Sequence, residues 1–181
     1  MTDAQSAVYN LNSKVYTVKM VKNSTVSATN GTPLVNTWKD GKVKVVKTNE
    51  NGVTLSGVVF GIYSDSACTK LIEQVTTGSD GSAVSSAIDV GSSGSKTVYV
   101  REISMTAEQS KVYSLNTNTY PVTVTAGKTV TANSGKTIVN NWLDGKVKVI
   151  KQDETGKPLA GVVFGVYSDK DCKNLITKIT T

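Results

Sequence analysis

The chain has 181 residues, 38 % hydrophobic and 19 % charged, a globular composition with room for one domain or two small ones. Its formal charge of +6 permits an anionic partner such as cell-wall polymer, nucleic acid or a membrane surface, but the lysines are spread out, and no basic block or nucleic-acid reading motif occurs. Histidine is absent and only two cysteines occur, so the commonest general base and a zinc site are both missing, and neither turnover chemistry nor a cofactor is expected.

No apolar run is long enough to span a bilayer. Neither a leader nor a sorting signal is visible, so the chain reads as a fragment of something longer. In chain order, strand patterns fall at residues 42–47, 58–63, 71–76, 97–103, 120–125 and 137–142. Turns at Asn51-Gly52, Asp80-Gly81, Ala126-Gly127 and Ser134-Gly135 separate them. No segment keeps a helical period over three turns. Short strands at this spacing predict an all-β fold of the two-sheet, Ig-like sandwich type.

The chain also repeats itself. With Trp38 set on Trp142, a gapless offset of 104 residues aligns residues 40–77 with 144–181, about 60 % identical, and 2–38 with 106–142, about 40 % identical. Residues 78–105 occur once. Two phases fit this layout. In the favoured one, residues 1–39 are the C-terminal part of a preceding repeat, 40–142 a complete repeat, and 143–181 the N-terminal part of a following one. The boundaries are then "WKDG" and "WLDG", where a strand ends and an Asp-Gly turn begins the next. In the other, 2–77 and 106–181 are equivalent units joined by the single segment. Under the first phase, the incomplete ends are expected either to be held by neighbouring chains in an array or to belong to a window cut from a longer filament.

Strand alternation exposes three misplaced polar residues. In "GKVKVVK", Lys42 and Lys44 share one face, while Lys47 shares the other with Val43 and Val45. In "VYVRE", Glu102 shares a face with Val98 and Val100, and in "TIVNNW" Asn140 shares one with Ile138 and Trp142. The lysine and asparagine positions recur at Lys151 and Asn36. Three accounts fit: strand ends that reach solvent, a buried Lys–Glu ion pair, or a reactive site. In a dry pocket, burial lowers a lysine pKa and raises that of a glutamate. A neutral amine can then attack a carboxamide held beside it, with the acid moving protons and ammonia leaving.

At these residues the sequence resembles the Cna-B-type, SpaA-like prealbumin-fold repeats of Gram-positive pilins and surface adhesins. "KVKVIKQDETGKPLAGVVFGVYSD" resembles the family's opening signature, "VYVREIS" its acid-bearing strand and "IVNN" its terminal strand. The resemblance implies a Lys47–Asn140 isopeptide bond formed with Glu102 as proton shuttle. It also implies partner-domain cross-link roles for Asn36 and Lys151. After the acid, "EISMTAEQSKVY" lacks the Pro and Gly common in the family. Asn141 and Glu73 are weaker candidates, because Thr37 and Thr177 replace them in the other copy. Cys68 and Cys172 share one repeat position, as small thiols or as bridges to another repeat or chain.

The expected function is a structural stalk or filament at the surface of a Gram-positive bacterium, with other repeats or copies of itself as partners. A ligand-binding adhesin recognising a host protein, glycan or anionic polymer is the alternative. No nucleic-acid partner is expected.

Overall fold

A computed structural model describes residues 1–181, which form two compact units, Met1–Leu143 and Asp144–Thr181. The first unit opens with a two-turn helix, α1 (Asp3–Val8), started by a reciprocal cap between Thr2 and Gln5. Six residues are too few to show a helical period in sequence, so this element escaped the pattern. Strand β1 (Tyr9–Asn10) follows and pairs antiparallel with β2 (Thr37–Trp38).

The remainder of the unit is a sandwich. Its strands are β3 (Lys42–Asn49), β4 (Val59–Tyr63), β5 (Leu71–Thr76), β6 (Ser82–Val84), β7 (Ser95–Ser104), β8 (Thr119–Thr125), β9 (Thr129–Thr131) and β10 (Ile138–Asn140). One sheet has the order β10-β3-β6, with β9 also on β3, and the other the order β5-β4-β7-β8. Both β9 and β10 run parallel to β3, β9 beside Lys42–Lys44 and β10 beside Lys47–Asn49. The first strand of the sandwich and its last are therefore neighbours.

The inward residues include Val43, Val45, Val98, Val100 and Ile138, which alternation placed on apolar faces. Val43, Val45, Phe60, Ile62, Val98, Val100, Val124 and Ile138 are all essentially inaccessible. Each such side chain contributes about 1.5–3 kcal/mol by leaving water. The outward residues of β3 follow suit: Lys42 is exposed and Lys44 half-buried. Strand β3 continues past Lys47, with Thr48 and Asn49 also buried, so solvent at a frayed end does not explain the lysine. At the last strand the pairing is shorter than predicted. Beyond Asn140 the chain leaves β3: the Asn141 carbonyl accepts from Ser114 N–H, and Trp142 pairs with Tyr113 instead. Trp142 is accordingly 42 % exposed and does not continue the buried face.

The second unit contains the hairpin β11 (Val163–Tyr167) and β12 (Leu175–Thr180). Its register, including an irregularity beside Tyr167, is that of the β4–β5 hairpin shifted by the sequence repeat. Its apolar residues are far more exposed than their counterparts in the sandwich: Val147 is 60 % exposed where Val43 is 1 %.

Candidate functional site: a buried lysine, glutamate and asparagine

Three strands from both sheets bring the site together. On β3 and β10, parallel pairing sets Lys47 opposite Ile138 and Asn49 opposite Asn140, so Lys47 and Asn140 are same-face diagonal neighbours. Glu102 reaches them from β7 in the facing sheet, where it stands opposite Phe60 of β4. Lys47, Glu102 and Asn140 are 0 %, 2 % and 1 % exposed, and they rank among the largest wholly buried side chains of the protein.

The carboxylate bridges the other two groups. Asn140 Nδ2 donates to Glu102 Oε1 at 2.7 Å, and Lys47 Nζ lies 3.5 Å from Glu102 Oε2, within ion-pair range but without hydrogen-bond geometry. Lys47 Nζ instead donates to the Ile138 carbonyl at 2.9 Å and to its neighbour Thr48 at 3.4 Å. Two buried oxygens have no donor: Glu102 Oε2 and Asn140 Oδ1. Orphaned acceptors of this kind cost about 1–3 kcal/mol each, so the arrangement favours a proton on the carboxyl.

Burial dominates both pKa values. Desolvation lowers Lys47 to about 8, although the charge of Glu102 and its proximity pull the other way. Desolvation raises Glu102, opposed by the Asn140 hydrogen bond, the Lys47 charge and the backbone N–H of Asn116. Both shifts favour the uncharged forms, a free amine and a carboxylic acid. A neutral amine has two hydrogens, and the two carbonyls it faces leave its lone pair free.

Sequence reading overlooked Asn116. Its Nδ2 donates to the Val139 carbonyl at 2.9 Å and its Oδ1 accepts from Tyr120, fastening the loop after the acid to the strand that carries Asn140. This anchoring is local work that a Pro-Gly turn does not have to do here. The one trace in the sequence is that the residue recurs as Asn12 one repeat earlier, where the structure shows the matching contact to Val35.

The other candidates stand apart from this cluster. Asn36 is exposed, accepts from Asn12 N–H and has neither lysine nor acid beside it. Lys151 is half-buried and donates to the Gln152 carbonyl. Asn141 is exposed. Glu73 accepts from the backbone and hydroxyl of Ser86, a contact between β5 and the chain after β6. Cys68 and Cys172 are free thiols, the first half-buried with Sγ 3.6 Å from Thr119 Oγ1, the second exposed.

A buried Lys–Glu–Asn cluster that joins the first and last strands of a two-sheet sandwich defines a class of domain, and known proteins show the same fold. Residues 41–137 match the SpaA family of prealbumin-like fold domains, and the chain belongs to that family. No curated protein matches the chain. Among solved structures, the Bacillus anthracis TIE protein is similar over 81 % of this chain and 25 % of its own, with a TM-score of 0.51 and 24 % identity, a likeness of fold. The T6 backbone pilin of serotype M6 Streptococcus pyogenes is 30 % identical over 46 % of this chain and 16 % of its own, with a TM-score of 0.38. A streptococcal ancillary pilin is 20 % identical over 81 % of this chain and 49 % of its own, with a TM-score of 0.45. The chain thus spans between about a sixth and a half of the length of these relatives.

Proposed function

We propose that residues 40–142 are a structural module of a stalk or filament on a Gram-positive cell surface, closed by an amide that its own side chains form between Lys47 and Asn140. The observation that supports this best is a buried amine and a buried carboxamide bridged by one carboxyl group. Half a turn of the Asn140 carboxamide brings Oδ1 to Glu102, where the protonated carboxyl donates to it and polarises the carbon. Lys47 Nζ attacks that carbon with its lone pair. A proton passes from the amine through Glu102 to Nδ2, the carbon–nitrogen bond to Nδ2 breaks, and ammonia departs. Glu102 ends as it began. Fixed geometry can supply effective molarities of about 10⁵ M or more, sufficient for aminolysis that needs to occur only once.

Single-turnover chemistry suits a structural part, not an enzyme. Its partners are other repeats or further copies along the filament. The test is the intact mass of the purified chain. We expect it to be lighter than the sequence mass by one ammonia, with Lys47→Ala and Asn140→Ala both at full mass. Fragmentation should recover a branched peptide joining residues 47 and 140. A wild-type chain that stays at full mass after prolonged incubation would overturn the proposal.

A further inference from the structure

Two stacked tyrosine–tryptophan pairs are built alike, one repeat apart. The Tyr9–Trp38 centroids are 4.2 Å apart with planes at 36°, and the Tyr113–Trp142 centroids 4.5 Å apart at 37°. Behind each pair, a Thr and a Gln three residues on exchange side-chain and backbone hydrogen bonds, Thr2 with Gln5 and Thr106 with Gln109. After each tryptophan the next N–H donates to a valine carbonyl at 2.8 Å, Lys39 to Val8 and Leu143 to Val112. Each assembly is therefore a preformed plug. Because β10 runs parallel to β3, Trp142 lies beyond the Asn49 end of β3, whereas Trp38 lies before its Lys42 end. The plugs sit at opposite ends of one sandwich.

The first is seated on the sandwich that follows it. At the Lys42 end, Gly94 approaches the Trp38 ring so closely that a Cβ would stand 3.1 Å from Cζ3. Gly127 approaches α1 as closely, a Cβ there standing 2.8 Å from the Ala7 carbonyl oxygen. Val8 packs against the sandwich core, and within the plug Lys39 Nζ donates to the Ser6 carbonyl at 2.6 Å. Both glycines have positive φ, which asparagine also tolerates; a Cβ at Gly127 would clash with the Ala7 carbonyl, and one at Gly94 would push the Trp38 ring back. Gly94 belongs to residues 78–105, and Gly127 to the turn between β8 and β9.

We propose that the Gly94–Gly127 end of the sandwich is a socket whose partner is the Tyr–Trp plug of the preceding repeat, and that this joint holds successive repeats at a fixed angle. Its chemistry is an aromatic face and a helix end laid on bare backbone, and it uses none of the three residues of the amide site.

Amide hydrogen exchange on the full chain tests the joint. Trp38→Ala removes the plug's face, while Gly94→Asn keeps the left-handed turn and adds a side chain that pushes the Trp38 ring off the socket. Each should speed exchange at the Lys39 amide by about tenfold or more, with Val45 and Val100 amides unchanged. Trp142→Ala should speed exchange at Leu143 and leave Lys39 alone. A Lys39 amide that already exchanges at the solvent rate in the wild type, or that Gly94→Asn leaves unaffected, would overturn the joint, because Trp38→Ala alone can loosen the plug's own Lys39–Val8 bond. Every variant should retain the wild-type loss of ammonia, so the joint and the amide succeed or fail separately.

Discussion

Lys47 has the length and charge of a surface residue, yet it is wholly buried, and its neighbours decide what that position costs. Before any amide forms, burial holds its pKa near 8, below the ordinary 10.5, so between those values the unfolded chain binds more protons than the folded one. Stability then rises with pH across that window and the full penalty applies below it. Glu102 acts in the opposite sense: its raised pKa means that the folded chain binds more protons just above the ordinary carboxyl range, and stability falls as pH climbs through that range. Asn140→Ala, which cannot cross-link, should therefore be least stable near neutral pH and gain up to about 3 kcal/mol towards pH 10.5, read as a shift in urea midpoint. Glu102→Gln isolates the proton carrier. It preserves shape but cannot shuttle, and ammonia loss followed by mass over time should slow about 10²-fold or more while the fold is retained.

Strands make these residues meet, and register is the controlling property. A slip of one residue between β3 and β10 would turn Asn140 outward and set Val139 or Asn141 in its place. The turn before β6 helps to fix β3 in place. Gly81 N–H closes that turn on Gly78, and a Cβ on Gly81 would stand 2.6 Å from the Lys47 carbonyl oxygen, at φ +71°. Gly81→Ala should cost about 1–3 kcal/mol in chemical denaturation and retard ammonia loss, because relieving the clash displaces the strand that carries the amine. Strands β3, β4, β5, β7 and β8 were legible because five or more residues alternate or run apolar between turn residues. Strands β6 and β9 were not, since "SAV" and "TVT" are too short to have a period and are strands only because β3 lies beside them. The same distinction applies to the site. Three polar residues breaking an apolar alternation could be read from sequence. Asn116 left only its recurrence as Asn12 in the sequence; its role could not be read there, because its loop has no period and its contacts to Val139 and Tyr120 are tertiary.

At the scale of the whole molecule, the question is where tension would run. A pull on the two flanks enters the sandwich at Gly41 and leaves after Asn140, and these points belong to adjacent parallel strands. Without a cross-link, force shears β10 from β3, where three residue pairs provide the contact, and the remaining strands then unravel. With the amide in place, force follows β3 to Lys47, crosses one covalent bond to Asn140 and leaves. Everything between those residues is bypassed, including all of β4 to β9. Closing so long a loop should also stabilise the repeat by about 4–5 kcal/mol through the unfolded state, less any strain. Single-molecule stretching of the full chain makes the comparison directly. Lys47→Ala should show additional extension on the order of 300 Å relative to the wild type, the contour of the chain from residue 47 to 140 set free. That difference should persist at forces that unfold every non-covalent part of the chain, since only the amide can hide this length. Equal extensions in the two proteins would mean that the sheets alone resist the load, and that the buried trio contributes charge burial and packing but no tether.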